Sequence, residues 1–455
     1  MGFDFKSQFE AFGQAPCLVA ADTSVNYRQF AARVAQWEAE LDKLGCDSGQ
    51  VIAVCGDFSY DVCALIFALA ARAAIIVPLS TTSAAKNPEF LDIAQVEMVL
   101  TVEADASWRC ARRPIPTERH PLCAQLARDG AAGLILFSSG STGRSKASLL
   151  DFGKIAAKSR QKNARPYTTL AFLLLDHIGG INTLLHTLGS GGCIVTPASR
   201  TPDDVCAAIA RERVQLLPTS PTFLNMLLIS EAYKRYDLSS LELITYGTEP
   251  MPANTLAALR ATLPEVKLKQ TYGLSELGIM PTRSKSSDSL WMKLGEAGFE
   301  HKIVDGLLWI RSDCAMLGYL NAASPFDADG WFNTQDIVET EDGYVKVLGR
   351  RSEIINVGGE KVYPNEVENT LLAAENVRDV TVSGKANAIT GQVVVARVSL
   401  VADEDHGAAV ARLRRFCEAH LERHKVPVRI DISDAEHHGS RFKKARVAAL
   451  EGGAP

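Results

Sequence analysis

A large layered α/β domain followed by a smaller α+β domain is the architecture that the sequence predicts. Three observations carry it. Strand-length apolar runs alternate with helix-length segments over most of the chain, which is the rhythm of a sheet covered by helices. After about Leu320 the texture changes to short strands and turns. A chain of 455 residues with 47% hydrophobic content is long and apolar enough for two or three domain cores.

Taken in order, Val51–Cys55, Tyr60–Ala71 and Ala74–Pro78 read as strand, helix and strand. The same order recurs at Thr169–Leu175, Ile181–Leu188 and Gly192–Pro197, and further strands are expected at Leu216–Pro218 and Leu243–Tyr246. Beyond Leu320, Asp329-Gly330 and Asp342-Gly343 mark tight turns between short strands. "YPNEVENTLLAA" is a proline-led helix start, and Val377–Val447 supplies strand, helix and strand again. The domain boundary is expected near Gly349–Ser352, giving 1–349 and 350–455 with a hinge near Ser352.

Composition narrows the partners. A net charge of -5 with interspersed signs leaves no basic stripe, so nucleic acid is not an expected partner. Ten cysteines without a C-x-x-C pair fit buried thiols in a reducing cytosol, and zinc is not expected. The start lacks the basic-then-apolar order of a signal peptide. The most apolar stretch, Val62 to Pro78, is interrupted by Arg72, so membrane insertion is not expected and the location is read as cytoplasmic.

One stretch asks for chemistry. "FSSGSTGRSK", Phe137 to Lys146, packs five hydroxyl or glycine residues into Ser138–Thr142 and ends on a lysine, a composition suited to cradling phosphate. It is not a P-loop, because Ser145 and Ala147 stand where that pattern needs glycine and a hydroxyl. Nor is it the dinucleotide pattern, since Gly140 and Gly143 have no third glycine at the required spacing. The competing reading is a flexible Ser/Gly linker, which sits poorly after the apolar run Gly133–Phe137.

Four separated stretches together resemble the adenylate-forming superfamily of acyl-CoA ligases, luciferases and peptide-synthetase adenylation domains. They are "SSGSTGRSK", "TYGLSE" (Thr271 to Glu276), "GWFNTQDI" and "GRRSEIINVGGEKVYPNEVE". The resemblance implies an N-terminal domain that binds AMP and the acid, and a smaller mobile C-terminal domain. It implies a two-step reaction, in which ATP activates a carboxylic acid to acyl-AMP and a thiol then takes the acyl group, with CoA preferred. The cofactors implied are ATP, Mg2+ and CoA. A stand-alone ligase that loads a carrier protein's phosphopantetheine is the alternative, and a non-catalytic nucleotide- or acid-binding relative is the rival from another class.

The resemblance also assigns residues. Ser138, Ser139, Gly140, Ser141, Thr142 and Gly143 form the phosphate loop, with Lys146 fixing it or neutralising charge. Tyr272 lies against adenine within Thr271-Tyr272-Gly273, Ser275 reaches the α-phosphate and Glu276 holds magnesium, a hard ion that prefers carboxylate oxygens. Gly247, Thr248 and Glu249 of "YGTEP" occupy the adenine wall, Asp336 accepts both ribose hydroxyls and Arg350 donates to ribose or phosphate. The glycines Gly358 and Gly359 line the pantetheine channel after the domain turns. In "LLLDHIGGIN" His177 falls at the acid pocket, with a satisfied core histidine as the competing reading. In the tail, "RFKKAR" places Lys443 as the catalytic lysine through its Lys-x-x-Arg spacing to Arg446, with Lys444 the substitute. Catalytic roles thus fall to Lys443, Glu276, Thr142 and His177. The partner is a small carboxylic acid whose identity the sequence does not disclose.

Overall fold

The computed structural model describes residues 5–20, 23–139, 145–159, 164–295 and 298–433. Val51–Cys55 and Ile75–Leu79 are buried along almost their whole length, as strands covered on both faces must be. They pair in parallel, Val51 opposite Ile75, at the centre of a seven-stranded sheet that also holds Met98–Val102, Trp108–Arg112, Gly133–Ser139, Ser145–Asp151 and Gly318–Tyr319. A second seven-stranded sheet runs in the order Lys267–Gln270, Leu243–Tyr246, Leu216–Thr219, Thr168–Leu170, Cys193–Thr196, Pro16–Ala20 and Thr23–Asn26.

Helices Tyr60–Ala71 and Ile178–Gly189 are buried nearly all round. A helix of that kind needs neighbours on every side. One core supplies them, joining these two helices to Ile52, Val54 and Leu134 of one sheet and to Leu18 and Ile194 of the other. Asp61, carried into this interior, accepts from Arg33 Nε at 2.6 Å and Trp37 Nε1 at 3.1 Å.

An antiparallel six-stranded sheet follows, including Leu307–Ser312, Phe332–Glu341 and Tyr344–Arg350. Asp342 and Gly343 both take positive φ, 50° and 75°, which is the turn that matches the twist of a two-residue hairpin. Arg350 ends this sheet, Arg351–Glu353 form a 3-10 turn, and Ile355 begins the next sheet. That last, five-stranded sheet carries helices Pro364–Leu372 and His406–His420 over its own core of Val367, Leu371, Val380, Val394 and Leu413. The molecule is therefore a mixed α/β protein with a large N-terminal and a smaller C-terminal domain.

The expected strand Thr169–Leu175 is shorter, Thr168–Leu170. After Ala171 donates to Val195 O the chain turns away, and Leu174 and Leu175 are buried between elements rather than in a sheet. Their apolarity reports burial, not extension. Two contacts pin this segment: Ser80 Oγ donates to Asp176 Oδ2 at 2.8 Å and Arg200 Nε to Phe172 O at 2.7 Å. Ser80 follows a strand of the first sheet, so the first of these contacts ties the two sheets together. Among the described residues, no helix is long and apolar enough to cross a membrane.

Candidate active site

Strands Gly133–Ser139 and Ser145–Asp151 pair antiparallel with Ser138 opposite Lys146, so the hydroxyl before the glycine-rich loop and the lysine after it are set side by side. Gly140, Ser141, Thr142 and Gly143 lie outside the described residues, and Ser139 is described by its backbone, which pairs with Ser145. The outer strand Gly318–Tyr319 adds to Ser145–Asp151 with Tyr319 opposite Ser148. Side chains two apart on a strand share a face. The Lys146 ammonium accordingly lies 5.1 Å from the centre of the Tyr319 ring.

The segment Tyr272–Leu274 turns back onto Gly278–Met280, and Ser275 and Glu276 sit in the turn between them. Gly273 is needed there, because a Cβ would come within 2.8 Å of Gly278 O. Glu276 O accepts from Met316 N at 2.8 Å, which fixes the turn. The residue is 9% exposed, and its Oε1 accepts from Tyr319 Oη at 2.8 Å and from Ser138 Oγ at 3.5 Å. Burial, with the Glu276 charge beside it, pushes the Tyr319 hydroxyl far up, so it stays a donor.

Asp336 and Arg350 face each other in register on the six-stranded sheet, where a bulge follows at Ile337. Arg350 Nε donates to Asp336 Oδ1 at 3.3 Å, and the Tyr272 hydroxyl donates to Oδ2. Burial raises the Asp336 carboxyl above its ordinary value, against the pull of Arg350 and the Tyr272 hydroxyl. Arg350, though desolvated, is raised by the Asp336 charge. Tyr272 is driven well up by burial and by Asp336. Each Asp336 oxygen has a second lone pair, so both can still accept from a diol.

The third wall comes from adjacent parallel strand ends. Thr271 N and Oγ1 both donate to Tyr246 O, at 2.7 and 3.1 Å. This draws Thr271 against Gly247, where a Cβ would meet Thr271 Oγ1 at 2.5 Å. Thr248 has a φ of 74° and a buried hydroxyl with no hydrogen-bond partner among the described residues. A strained residue with an unsatisfied buried hydroxyl is the pattern of a ligand wall. Glu249 instead points to protein: its carboxylate accepts from Thr222 N at 2.8 Å and from the Thr222 hydroxyl, at the first turn of Pro221–Ser230.

His177 is the N-cap of Ile178–Gly189, its Nδ1 accepting from Gly179 N at 3.0 Å. The histidine that reads as an acid-pocket residue thus begins a helix as well. Lys443 and Lys444 lie outside the described residues.

A family model described as AMP-binding enzyme matches residues 5–320, and one described as AMP-binding enzyme C-terminal domain matches 366–440. The chain belongs to the AMP-binding enzyme family. Curated relatives include indoleacetate–CoA ligase of Aromatoleum aromaticum, 27% identical over 91% of this chain and 90% of that one. Another is 2-succinylbenzoate–CoA ligase of Bacillus cytotoxicus, 27% identical over 85% of each. Among solved structures, the fold matches an anthranilate CoA ligase with anthranoyl-AMP at a TM-score of 0.81 and 19% identity, covering 97% of this chain and 95% of that one. It matches amide bond synthetase McbA from Marinactinospora thermotolerans at 0.78 and 23%, over 97% and 98%. This AMP-binding enzyme is an adenylate-forming ligase of the acyl-CoA ligase type.

Sequence reasoning did not single out two residues that bond to this candidate site. Tyr319 joins Glu276, and Asn321 pins the strand after the glycine-rich loop, donating to Ser145 O at 2.8 Å and accepting from Ala147 N at 3.0 Å. Both stand in "LGYLN", a run too short and ordinary to signal a site.

Proposed function

We propose that the enzyme activates a carboxylic acid with ATP, releasing pyrophosphate, and passes the acyl group from acyl-AMP to CoA. The observation that carries this is the convergence of two hydrogen-bonded groups, Ser138 and Tyr319 on Glu276 and Tyr272 and Arg350 on Asp336, with Lys146 over the Tyr319 ring and the Glu276 charge felt at Arg350. Asp336 takes the ribose diol and holds Arg350 charged beside it. Gly247 and the unsatisfied Thr248 hydroxyl suit a flat base laid against backbone. Lys146, with the loop that precedes it, meets the phosphates.

Magnesium fits this donor set. The described residues contain no cluster of three metal-ligating side chains, but Mg2+ commonly takes one carboxylate together with phosphate oxygens and water, and Glu276 Oε2 takes no hydrogen bond among the described residues. When bound, the ion would offset charge on the phosphate oxygens. Ser352, within the Arg351–Glu353 turn, is the hinge, dividing 1–349 from 350–455. Lys443 comes to the carboxylate and α-phosphate in the adenylating arrangement, and the Gly358-Gly359 turn replaces it for thioester formation. The acid is aryl or arylalkanoic, by likeness to relatives named for indoleacetate and 2-succinylbenzoate.

Pyrophosphate exchange across a panel of indoleacetate, cinnamate-type, succinylbenzoate and straight-chain fatty acids tests the reading. Acid-dependent exchange with an aryl acid, followed by a CoA thioester seen by mass spectrometry, is expected. Selective acylation of a holo carrier protein offered in parallel overturns the choice of acceptor.

A further inference from the structure

Tyr319 belongs to a strand of two residues at the edge of its sheet, where its pairing with Ser148 sets it beside Lys146. It is 7% exposed, and its hydroxyl spends its proton on Glu276 Oε1. The same oxygen meets Ser138 Oγ at the longer distance of 3.5 Å. Oε2 takes no hydrogen bond among the described residues. A carboxylate turns about its last bond unless something holds one oxygen, and here one strong donor holds only Oε1. The two oxygens are therefore unequal. The Tyr319 ring also seats the Lys146 ammonium, so one side chain orders an anion and a cation of the same site.

We propose that Tyr319 is a positioning residue for the metal–nucleotide complex: by fixing Glu276 Oε1 it presents Oε2 as the metal donor. This rests on the adenylating reading above. Without the hydroxyl, only the long Ser138 contact would restrain the carboxylate, and metal coordination would carry the cost of ordering it.

Calorimetric titration of the intact protein with ATP, once with Mg2+ and once with excess chelator, separates the roles. Tyr319→Phe keeps the ring and removes one oxygen. Its affinity for ATP with Mg2+ should fall about tenfold, the size of one hydrogen bond to a charged group, while affinity in chelator stays within about twofold of wild type. Bound Mn2+ followed by electron paramagnetic resonance should show the same loss. An unchanged metal dependence, or an equal loss with and without metal, overturns the assignment, the second outcome meaning that Tyr319 only supports the fold. Wild-type protein that binds no ATP under either condition overturns the adenylating reading itself.

Discussion

Replacing Glu276 by Gln trades one carboxylate oxygen for an amide nitrogen and leaves the volume unchanged. With Oε1 still able to accept from Tyr319 and Ser138, the turn should hold its shape. What goes is the charge, and pyrophosphate exchange should slow by about a hundredfold or more, comparable to losing one preorganised electrostatic group. Unfolding midpoints for the two proteins should coincide. Near-normal exchange at saturating ATP and Mg2+ would remove Glu276 from the metal site. His177 permits a similar separation of roles. As an N-cap it should cost about 1 kcal/mol when changed to Ala, whereas His177→Asn, a good capping residue, should recover the stability. If exchange with the best acid stays low in His177→Asn while its melting temperature returns, the imidazole serves the acid pocket beyond capping.

At the scale of elements, the C-terminal domain carries its own pH signature. Glu404, in the loop before His406–His420, accepts from Arg412 Nη2 at 2.7 Å and Nε at 3.0 Å, and from Asn376 Nδ2 at 2.9 Å. Arg412 first, then Asn376, pull the carboxyl from its ordinary 4.5 down to about 2. A folded value below the unfolded one stabilises the fold above about pH 4.5, and that contribution is lost as pH falls toward about 2. Arg412→Ala should therefore lower thermal stability at neutral pH and flatten its acid limb, as melting curves across this range would show. The elements themselves were largely legible in the sequence wherever one local cause decided them. Val51–Cys55 was readable because a doubly covered strand is apolar throughout, and the Pro364–Leu372 helix because proline marks its first turn. Thr169–Leu175 was not, because burial between elements and burial in a sheet leave the same apolar mark. In the candidate site, Glu276, Tyr272 and Asp336 stood in recognisable stretches, and the structure bonds Tyr272 to Asp336 and Glu276 to Tyr319 and Ser138. Tyr319 and Asn321 matter through pairing at long range, 43 residues along the chain to Glu276 and 176 to Ser145, and no local pattern encodes such pairing.

Across the whole molecule, the C-terminal domain rests on the N-terminal halves of helices Pro221–Ser230 and Ala253–Thr262. Asn225 Nδ2 donates to Arg378 O at 3.2 Å and Asn254 Nδ2 to Asn369 O at 2.9 Å, around a small cavity lined by Thr222, Glu249 and Leu372. An added Cβ at Gly359 would meet nothing within 4 Å, so that side of the turn faces open space. A domain held by such contacts is released by removing them. On the proposal that this arrangement, with the Gly358-Gly359 turn in the open, is the adenylating one, Asn225→Ala with Asn254→Ala should slow acid-dependent pyrophosphate exchange severalfold and leave conversion of supplied acyl-AMP and CoA at or above the wild-type rate, each hydrogen bond contributing about 1 kcal/mol. Equal loss in both half-reactions would show a general weakening instead. Lys443→Ala should give the same asymmetry more sharply, losing about 3 to 4 kcal/mol in adenylation alone. Both asparagine donors end on carbonyl oxygens, which every residue possesses. Positions 369 and 378 are thereby free to drift in evolution while the contact survives, whereas 225 and 254 must keep a side chain that donates. These two contacts are written on the N-terminal domain alone, so a C-terminal domain from a distant relative would keep them wherever its backbone follows the same path, whereas Asn365 Nδ2, which donates to Leu348 O at 3.1 Å, is a contact the incoming domain must bring with it.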